Sequence, residues 1–412
     1  MKKVFFSALV ALLVFVSCGG GNTTNNCTGN DTLSVSYPKN SPVAKYGRLQ
    51  VKDLQLCDKA GNPVQLAGMS TMGWQWCGDC YSKESVKTMV DEWGISILRL
   101  AMYVEEGGYN ANPIEFRNRM CELIDICGEL GIYCIVDWHI LTPGNPLDPK
   151  YAGAKEFFQF IAEKYAEREH LLFEICNEPN NCLEKGDPIH PWVCTKETNV
   201  TWDMIASYAE EIIPAIQSGY DAVGATHPIV IVGTPQWDQL VDACLKEGMY
   251  QGNGKDLCDS LPERDARLKF DNVMYAFHFY AKEHNEGFEK DGKPDYYNMY
   301  SYMYDVLGKL PVFCSEFGLC EANGNGELDP DRTDKWLMLL SGNNAGKQKV
   351  SFCNWSFSDN ERSSSALNPG ACAKKAWNDV TPSGDYIKRV LSVVNKGAQD
   401  STVLKSSNLY TK

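Results

Sequence analysis

Eight short apolar runs, separated by longer amphipathic segments, predict an α/β fold in which a parallel (β/α)8 TIM barrel forms a single domain with loop insertions. The apolar runs are Val64–Met69, Ile95–Met102, Ile132–Trp138, Leu171–Cys176, Ile229–Val232, Val273–Phe279, Val312–Ser315 and Val350–Trp355. Helix-like stretches lie between them: Lys83–Trp93, Pro113–Leu130, Lys155–Glu167, Trp202–Ser218 and Tyr296–Leu307. Successive parallel strands need crossover helices, and eight such units in about 350 residues suit a closed barrel.

The residues at the ends of these segments support the assignment of alternating helices and strands. The first two helix-like stretches end at Gly94 and near Gly131, and each glycine is followed directly by an apolar run, as is common at helix C-termini. The alternative is a doubly wound open sheet, which usually carries a glycine-rich phosphate loop near its start. This sequence has no such loop, which favours the barrel.

Composition and charge restrict the classes of molecule that the protein is expected to bind. The 412 residues are 44% hydrophobic and 22% charged, which is typical of a globular protein with a core of ordinary size. The formal net charge of −14 disfavours nucleic acid and anionic membranes as partners, and suits a neutral polymer. An aromatic fraction of 11% fits stacking on sugars, although aromatic residues on their own are more often part of the core.

The N-terminus predicts export. A basic start is followed by an apolar run from Val4 to Val16, which is too short to span a bilayer and typical of a signal peptide. Ser17-Cys18-Gly19 then resembles the lipobox of bacterial lipoproteins, in which the cysteine is lipidated. Phe15 departs from the usual leucine of such boxes, so ordinary cleavage stays an alternative. We expect a surface or outer-membrane lipoprotein, or a secreted protein.

These features divide the chain into four parts. Residues 1–17 are expected to be a lipoprotein-type signal peptide, and residues 18–44 a flexible polar tether. Residues 45–395 are expected to form the (β/α)8 catalytic domain, because no second linker interrupts them. Residues 396–412 are expected to be a polar tail.

Cysteine usage agrees with export. Removing Cys18 from the 17 cysteines leaves 16, an even number that predicts a disulfide framework. Cys182 with Cys194, and Cys244 with Cys258, are candidate loop-closing pairs. Cys77 and Cys80 have metal-like spacing, but no second close pair completes a four-ligand set, so we expect no metal. For four cysteines in apolar runs, a buried free thiol is equally reasonable: Cys134, Cys176, Cys314 and Cys353.

Polar residues close many of the apolar runs, where the chemistry of a barrel is located. They are Arg99, Asp137-Trp138-His139, Asn177-Glu178, His278-Phe279-Tyr280, Ser315-Glu316 and Asn354-Trp355. A role in core packing alone does not account for so many polar residues at strand ends, because a buried unpaired carboxylate or imidazole costs several kcal/mol. The pattern therefore predicts an active site at these strand ends.

Two glutamates carry the sharpest signal. Glu178 follows the run that begins at Leu171, and Glu316 follows the run that begins at Val312, so both lie at strand ends of the predicted barrel. Two carboxyl groups facing each other across a cleft are what glycoside hydrolysis needs, one protonated and one ionised. In retaining enzymes these groups are roughly 5–5.5 Å apart.

The segment Leu171–Asn180 resembles the signature of glycoside hydrolase family 5, and the resemblance extends over residues 60 to 360. The family carries eight ordered residues that match Arg99, His139, Asn177, Glu178, His278, Tyr280, Glu316 and Trp355. Gly68-Met69-Ser70, Gln75-Trp76 and Asp137-Trp138-His139 look most like its bacterial endoglucanase branch. Met72 departs from that branch, which often has histidine there, and this bears on sugar contacts at a negative subsite.

The resemblance implies a retaining endo-β-1,4-glucanase, acting on cellulose or related β-glucans without a cofactor. It implies that Glu178 is the general acid and then the base, and that Glu316 is the nucleophile. Arg99 and Tyr280 would hold Glu316 ionised and oriented, and Asn177 would contact the sugar 2-hydroxyl.

The other matched residues imply contacts around that centre. His139 and His278 would line the site, with His278 near the acid, and Trp355 would be a stacking floor for sugar. Trp76 is a further candidate platform. Glu174 lies deeper on the same strand as Glu178, and we interpret it as structural.

Two alternatives remain at this level. The same eight residues serve β-mannanases, xyloglucanases and lichenases of the family, because loops set the choice of substrate. From another class, a surface glycan-binding protein without catalysis would share the signal, the tether and the aromatic composition. The expected partner is a β-glucan, bound by a monomer, with no nucleic acid and with membrane contact only through a lipid at Cys18.

Overall fold

A computed structural model describes residues 36–180, 200–245, 265–284, 289–290, 293–294, 299–342 and 348–404. Eight strands form a closed barrel in which every pair of neighbours is parallel. They are β1 Ala67–Ser70, β2 Ile97–Tyr103, β3 Tyr133–His139, β4 Leu171–Glu174, β5 Ile229–Val232, β6 Val273–Tyr280, β7 Val312–Gly318 and β8 Phe352–Asn354. The predicted (β/α)8 barrel is confirmed.

Helices connect the strands. The α-helices are Pro42–Tyr46, Trp74–Cys77, Lys83–Thr88, Pro113–Leu130, Ala154–Tyr165, Trp202–Asp221, Pro235–Asp238, Met299–Val306, Pro330–Leu340 and Pro382–Lys396. Shorter helical turns are Gly78–Cys80, Met89–Trp93, Pro149–Tyr151 and Val241–Cys244, and two small hairpin sheets pair Gln50–Lys52 with Gln55–Cys57 and Glu289–Lys290 with Lys293–Pro294. Within these described ranges, no helix is both long and apolar enough to cross a membrane.

Glycine ends the two helices that the sequence assigned most clearly. Gly94 and Gly131 both have positive φ angles, of 82° and 72°, and donate their N–H groups back into the last turn. This left-handed conformation costs glycine little, which is why both helices stop there and a barrel strand begins two or three residues later.

The barrel interior changes from apolar to charged along its axis. Ile97, Ile135 and Leu172 belong to the apolar cluster that fills its lower part. Side chains two residues apart on a strand point to the same side, so Arg99 and Glu174 continue these inward rows toward the C-terminal end. The fold thus places charged groups in one layer, above an apolar floor.

Residues near both ends of the predicted domain also pack on the barrel. Residues 36–44 fall in the range expected to be tether, yet Val43 is buried and its N–H bonds to Gly131 O at 3.0 Å. In the range expected to be tail, Val403 and Leu404 are buried, and Leu404 N bonds to Asp334 Oδ1 at 2.7 Å. Apolar side chains in otherwise polar segments account for both contacts.

The described residues contain one disulfide, Cys80–Cys372, which links positions 292 residues apart. Ten other described cysteines are free and buried, including Cys134, Cys176, Cys314 and Cys353. The prediction of disulfide bonding is confirmed by this one bond, but the expected framework does not extend to the other described cysteines, because their thiols serve as small apolar core groups. Cys244 carries a free thiol, whereas Cys182, Cys194 and Cys258 lie outside the described residues.

Candidate active site

Arg99 is the centre of the charged layer. Its side chain is fully buried and donates to both oxygens of Glu174, at 2.7 and 3.2 Å. The same guanidinium donates to Glu316 Oε2 at 2.9 Å and to Asn177 Oδ1 at 2.7 Å, and lies 3.1 Å from Asp137 Oδ2. The planar guanidinium of arginine carries five N–H groups in fixed directions, so it can donate to several acceptors at once. The single ammonium group of lysine cannot do this in the same geometry.

Burial and neighbouring charges both shift the pKa values of this layer. Burial opposes ionisation of Glu174, but the charge and hydrogen bonds of Arg99, together with the nearby His278, outweigh it and lower the pKa of Glu174 to about 2. Burial and then Arg99 lower the pKa of His139 to about 3, so its imidazole is neutral. His139 Nδ1 lies 2.8 Å from Asp137 Oδ2, which fixes the ring.

Glu316 is held by one donor on each oxygen. Arg99 Nη1 binds Oε2, and the Tyr280 hydroxyl donates to Oε1 at 2.7 Å. Burial, and then the negative charge of Glu316, raise the pKa of Tyr280 well above its usual value, so the phenol keeps its proton. One donor on each oxygen fixes the plane of the Glu316 carboxyl group.

The strand β7 delivers two neighbouring side chains to the interior. Its register shifts between Phe313 and Glu316 against β6, and between Cys314 and Phe317 against β8, which is the mark of a bulge. Ser315 therefore donates to Glu174 Oε1 at 2.6 Å while Glu316, the next residue, meets Arg99. A regular strand would point one of the two outward.

The backbone around Glu178, which lies beyond the end of β4, is held in an unusual conformation. Its φ angle is +41°, a left-handed value that costs a residue with a side chain about 1–3 kcal/mol. Glu178 N donates to Asp238 Oδ2 at 2.9 Å, and Asn180 Nδ2 donates to Glu178 O at 2.8 Å. The surrounding contacts thus fix the direction in which the Glu178 side chain leaves the backbone.

His278 connects Glu178 to the buried layer. Its Nδ1 lies 2.9 Å from Glu178 Oε1, and its Nε2 lies 2.9 Å from Ser315 Oγ. Burial opposes the positive charge, but Asp238, Glu174 and Glu178 outweigh it and raise the pKa of His278 well above its usual value. The imidazolium can therefore donate through both nitrogens, one of them to Glu178.

The two glutamates lie close together. One oxygen of Glu178, one oxygen of Glu316 and one ring nitrogen of His278 lie within 4.8 Å of one another. Such a trio can ligate a metal, but Glu316 already accepts from Arg99 and Tyr280, and a protonated His278 is not a ligand. The spacing instead matches the short separation of carboxyl groups in retaining glycosidases, roughly 5–5.5 Å.

A cleft of about 480 Å³ opens above this pair. Trp355 and His139 are nearly parallel along its wall, with ring centroids 5.4 Å apart, and Tyr103 stacks on His139 at 4.3 Å. Trp76 is 51% exposed at the rim and packs edge-on against Tyr103. Flat apolar rings beside carboxylates and hydroxyls suit a sugar, which has both apolar faces and hydroxyl groups.

The structure brings the residues expected from the sequence into one site at the C-terminal end of the barrel. His139, Glu178, Tyr280, Glu316, Trp355 and Trp76 line the cleft, and Arg99, Asn177 and His278 support it from beneath. Met72 also lines the cleft and contacts Asn360. Cys18 lies outside the described residues.

Sequence reasoning missed Asp238. This carboxylate is fully buried, accepts from Glu178 N and Thr234 N, and lies 3.5 Å from His278 Nε2. It comes six residues after β5, in a turn where three consecutive residues have positive φ angles. An acidic residue in the loop after a barrel strand was the available signal, but nothing in the sequence indicates that the loop folds back under Glu178.

Similarity to known proteins identifies the class of protein to which this fold and site belong. Residues 57–361 match the family model described as Cellulase (glycosyl hydrolase family 5), and the chain belongs to that family. It is 37% identical over 358 residues to endoglucanase E-5 of Thermobifida fusca, covering 85% of this chain and 65% of that protein. It is 33% identical over 403 residues to an endoglucanase of Clostridium saccharobutylicum, and the match covers 97% of this chain and 75% of that protein.

Solved structures show the same likeness. The catalytic domain of the Thermobifida fusca endoglucanase, a variant in complex with cellotetraose, is 35% identical with a TM-score of 0.69, covering 85% of this chain and 99% of that one. The catalytic domain of alkaline cellulase K is 29% identical with a TM-score of 0.69, and the match covers 87% of this chain and 96% of that one. The chain spans just under two thirds of the length of the Thermobifida endoglucanase.

Replacing Asp238 by asparagine tests its contacts with Glu178 and His278. Burial raises the pKa of Asp238 to about 7, with the charge of His278 opposing the rise. In Asp238→Asn the negative charge that helps to raise the pKa of His278 is gone, so His278 should lose its proton at lower pH. We expect kcat to fall about tenfold to a hundredfold, and the pH profile to differ from the wild-type profile over the range in which His278 loses its proton.

The measurement is kcat against pH for an aryl β-cellobioside. Asp334→Asn is the matched control, because Asp334 is also buried but belongs to the outer helix Pro330–Leu340. An Asp238→Asn profile that coincides with the wild-type profile would show that this carboxylate influences neither Glu178 nor His278.

Proposed function

We propose that the protein is a retaining endo-β-1,4-glucanase that hydrolyses cellulose or related β-glucans. The observation that carries the proposal is the close pair of carboxyl groups, Glu178 and Glu316, at the floor of an aromatic-lined cleft. Membership of glycoside hydrolase family 5 supports it, as do the endoglucanase names of the relatives.

In the first step, Glu178 donates its proton to the glycosidic oxygen and a Glu316 oxygen attacks C1. The C1–O bond to the leaving sugar breaks as the C1–O bond to Glu316 forms, giving a glycosyl-enzyme ester. Arg99 and Tyr280 fix Glu316 for this attack through the bonds at 2.9 and 2.7 Å. His278 fixes Glu178 Oε1, which leaves the other oxygen to carry the proton.

In the second step, the ionised Glu178 removes a proton from water, and the water oxygen attacks C1. The ester bond breaks, Glu316 leaves as a carboxylate, and the two inversions restore the β configuration. Asn177 donates one amide hydrogen to Ile140 O at 3.1 Å, so its second amide hydrogen is available to the sugar 2-hydroxyl. Trp355 supplies the floor for that sugar, and Trp76 a platform at the rim.

Azide rescue tests the two roles together. An activated aryl β-cellobioside needs little acid assistance to leave, so Glu178→Ala should accumulate the glycosyl enzyme, and azide should release a β-glycosyl azide. Glu316→Ala has space for azide where the nucleophile stood, and should yield an α-glycosyl azide. Product configuration is read by NMR. Inverted products from the wild type, or the opposite pattern of azides, would overturn the assignment.

Hydrolysis of polysaccharides tests the substrate. We expect the wild type to release more reducing ends from carboxymethylcellulose than from mannan, xylan, xyloglucan or lichenan at equal mass concentration. Glu316→Gln is the control for background release. Dominant activity on mannan would move the protein to the mannanase alternative, and binding of glucans without any hydrolysis would establish the glycan-binding alternative.

We further propose that the chain is exported and anchored through a lipid on Cys18. The support is the basic and apolar start of residues 1–17 with Ser17-Cys18-Gly19 at its end. Expressed in a Gram-negative host with a labelled fatty acid, the wild type should carry label and sediment with membranes, whereas Cys18→Ala should not. Cys27→Ala is the matched control. Unlabelled wild type in the soluble fraction would indicate ordinary secretion.

A further inference from the structure

A second cavity lies between the short helix Trp74–Cys77 and the start of helix Pro113–Leu130. Its volume is about 500 Å³, within the range of small-molecule sites in proteins. Among the described residues, it shares no lining side chain with the catalytic cleft. The short helix contributes to both, because Trp74 and Gln75 line the second cavity whereas Trp76 lines the cleft.

Gln75 is an unpaired polar group in the wall of this cavity. Its Nε2 and Oε1 are both buried, and neither has a hydrogen-bond partner within the described part of the chain. The carboxamide is folded against Gly73, where an added Cβ would lie 2.9 Å from Oε1. Leaving a buried donor and acceptor unpaired costs free energy, so an occupant that pairs them after a side-chain rotation is favoured.

Two glycines keep the cavity open. A Cβ added at Gly78 or Gly107 would meet no atom within 4 Å. Gly78 has φ −56° and ψ −32°, an ordinary helical conformation that any residue adopts. Its missing side chain is therefore not a requirement of the backbone, and the space beside it is accessible to a ligand.

The charged side chains at the cavity already have hydrogen-bond partners, which favours a neutral ligand. Asn112 Nδ2 donates to Glu115 Oε2 at 2.6 Å, and Arg119 donates to Glu122 Oε2 at 2.6 Å. The remaining wall is apolar: the rings of Trp74 and Phe116 are stacked with centroids 6.0 Å apart. An amide beside aromatic rings suits the hydroxyls and C–H groups of a sugar.

The shape favours a chain of sugars over a single one. A neighbouring depression of about 460 Å³ shares Asn112, Glu115 and Arg119 with the second cavity. It extends to Ile114, whose side chain is 65% exposed. A ligand several units long can thus occupy the cavity and continue over this exposed apolar surface.

We propose that the second cavity is a binding site for a neutral gluco-oligosaccharide, with Gln75 hydrogen-bonding its hydroxyls. The choice of sugar rests on the proposed function, but the site does not. Because helix Trp74–Cys77 borders both sites, a glucan held here is anchored beside the catalytic cleft without entering it.

The test measures binding of cellotetraose to the Glu316→Gln protein. Calorimetry gives the number and affinity of the sites, and NMR of the glutamine side-chain amides reports on Gln75. We expect two classes of site and a shift of the Gln75 amide signals on the weaker one. Adding Gly78→Phe should fill the cavity and weaken that site by more than about tenfold, or about 1.4 kcal/mol, and leave the cleft affinity unchanged. Asp79→Phe, at the exposed neighbouring residue, is the matched control.

Retained binding at the cleft shows that the Gly78→Phe protein is folded. If it does not fold, Gln75→Leu replaces it, because leucine keeps most of the volume and removes the amide; the same loss is expected. A single class of site in Glu316→Gln, or two sites unaffected by both variants, would overturn the proposal. Failure of the catalytic proposal would show separately, as wild-type protein that binds cellotetraose in the cleft without cleaving it.

Discussion

The structure depends on one buried cation. Arg99 carries its charge inside the barrel, where an isolated charge would be prohibitively costly, and it is tolerated because Glu174, Glu316, Asp137 and Asn177 surround it. Removing one partner from such a network leaves the others unpaired, so these residues act as a unit. The nucleophile candidate, Glu316, is one member of this unit, so its orientation depends on Arg99 beneath the cleft as well as on Tyr280 in the cleft wall.

A second set of contacts positions Glu178, the candidate acid. The Glu178 backbone is left-handed, and its side chain meets His278, whose charge is balanced by Glu174 and Asp238. The two glutamates are thus connected through Glu174, which binds Arg99 on one side and the Ser315–His278 pair on the other. Glu174 therefore has a structural place in this network, which explains why a carboxylate is needed there.

Much of the architecture could be predicted from the sequence, because the periodicity of apolar residues and the glycines at helix ends are local signals. The eight strands and the helix Pro113–Leu130 were recognisable in this way, although β4 ends two residues earlier than expected, at Glu174. Disulfides were the least predictable feature. Cys80 and Cys372 are joined only because a segment near the end of the chain packs beside one near its start, and no spacing rule reports such a contact.

The sequence by itself determined which chemical groups stand at the strand ends, because strand alternation and the order of segments fix them. It determined the glutamate pair, the arginine and the aromatic residues, along with the family to which they belong. Only the tertiary structure decided how far apart the glutamates lie, that the β7 bulge turns both Ser315 and Glu316 inward, and that Asp238 reaches Glu178 N. Those features arise from contacts between segments distant in the chain, where local patterns carry no information about geometry.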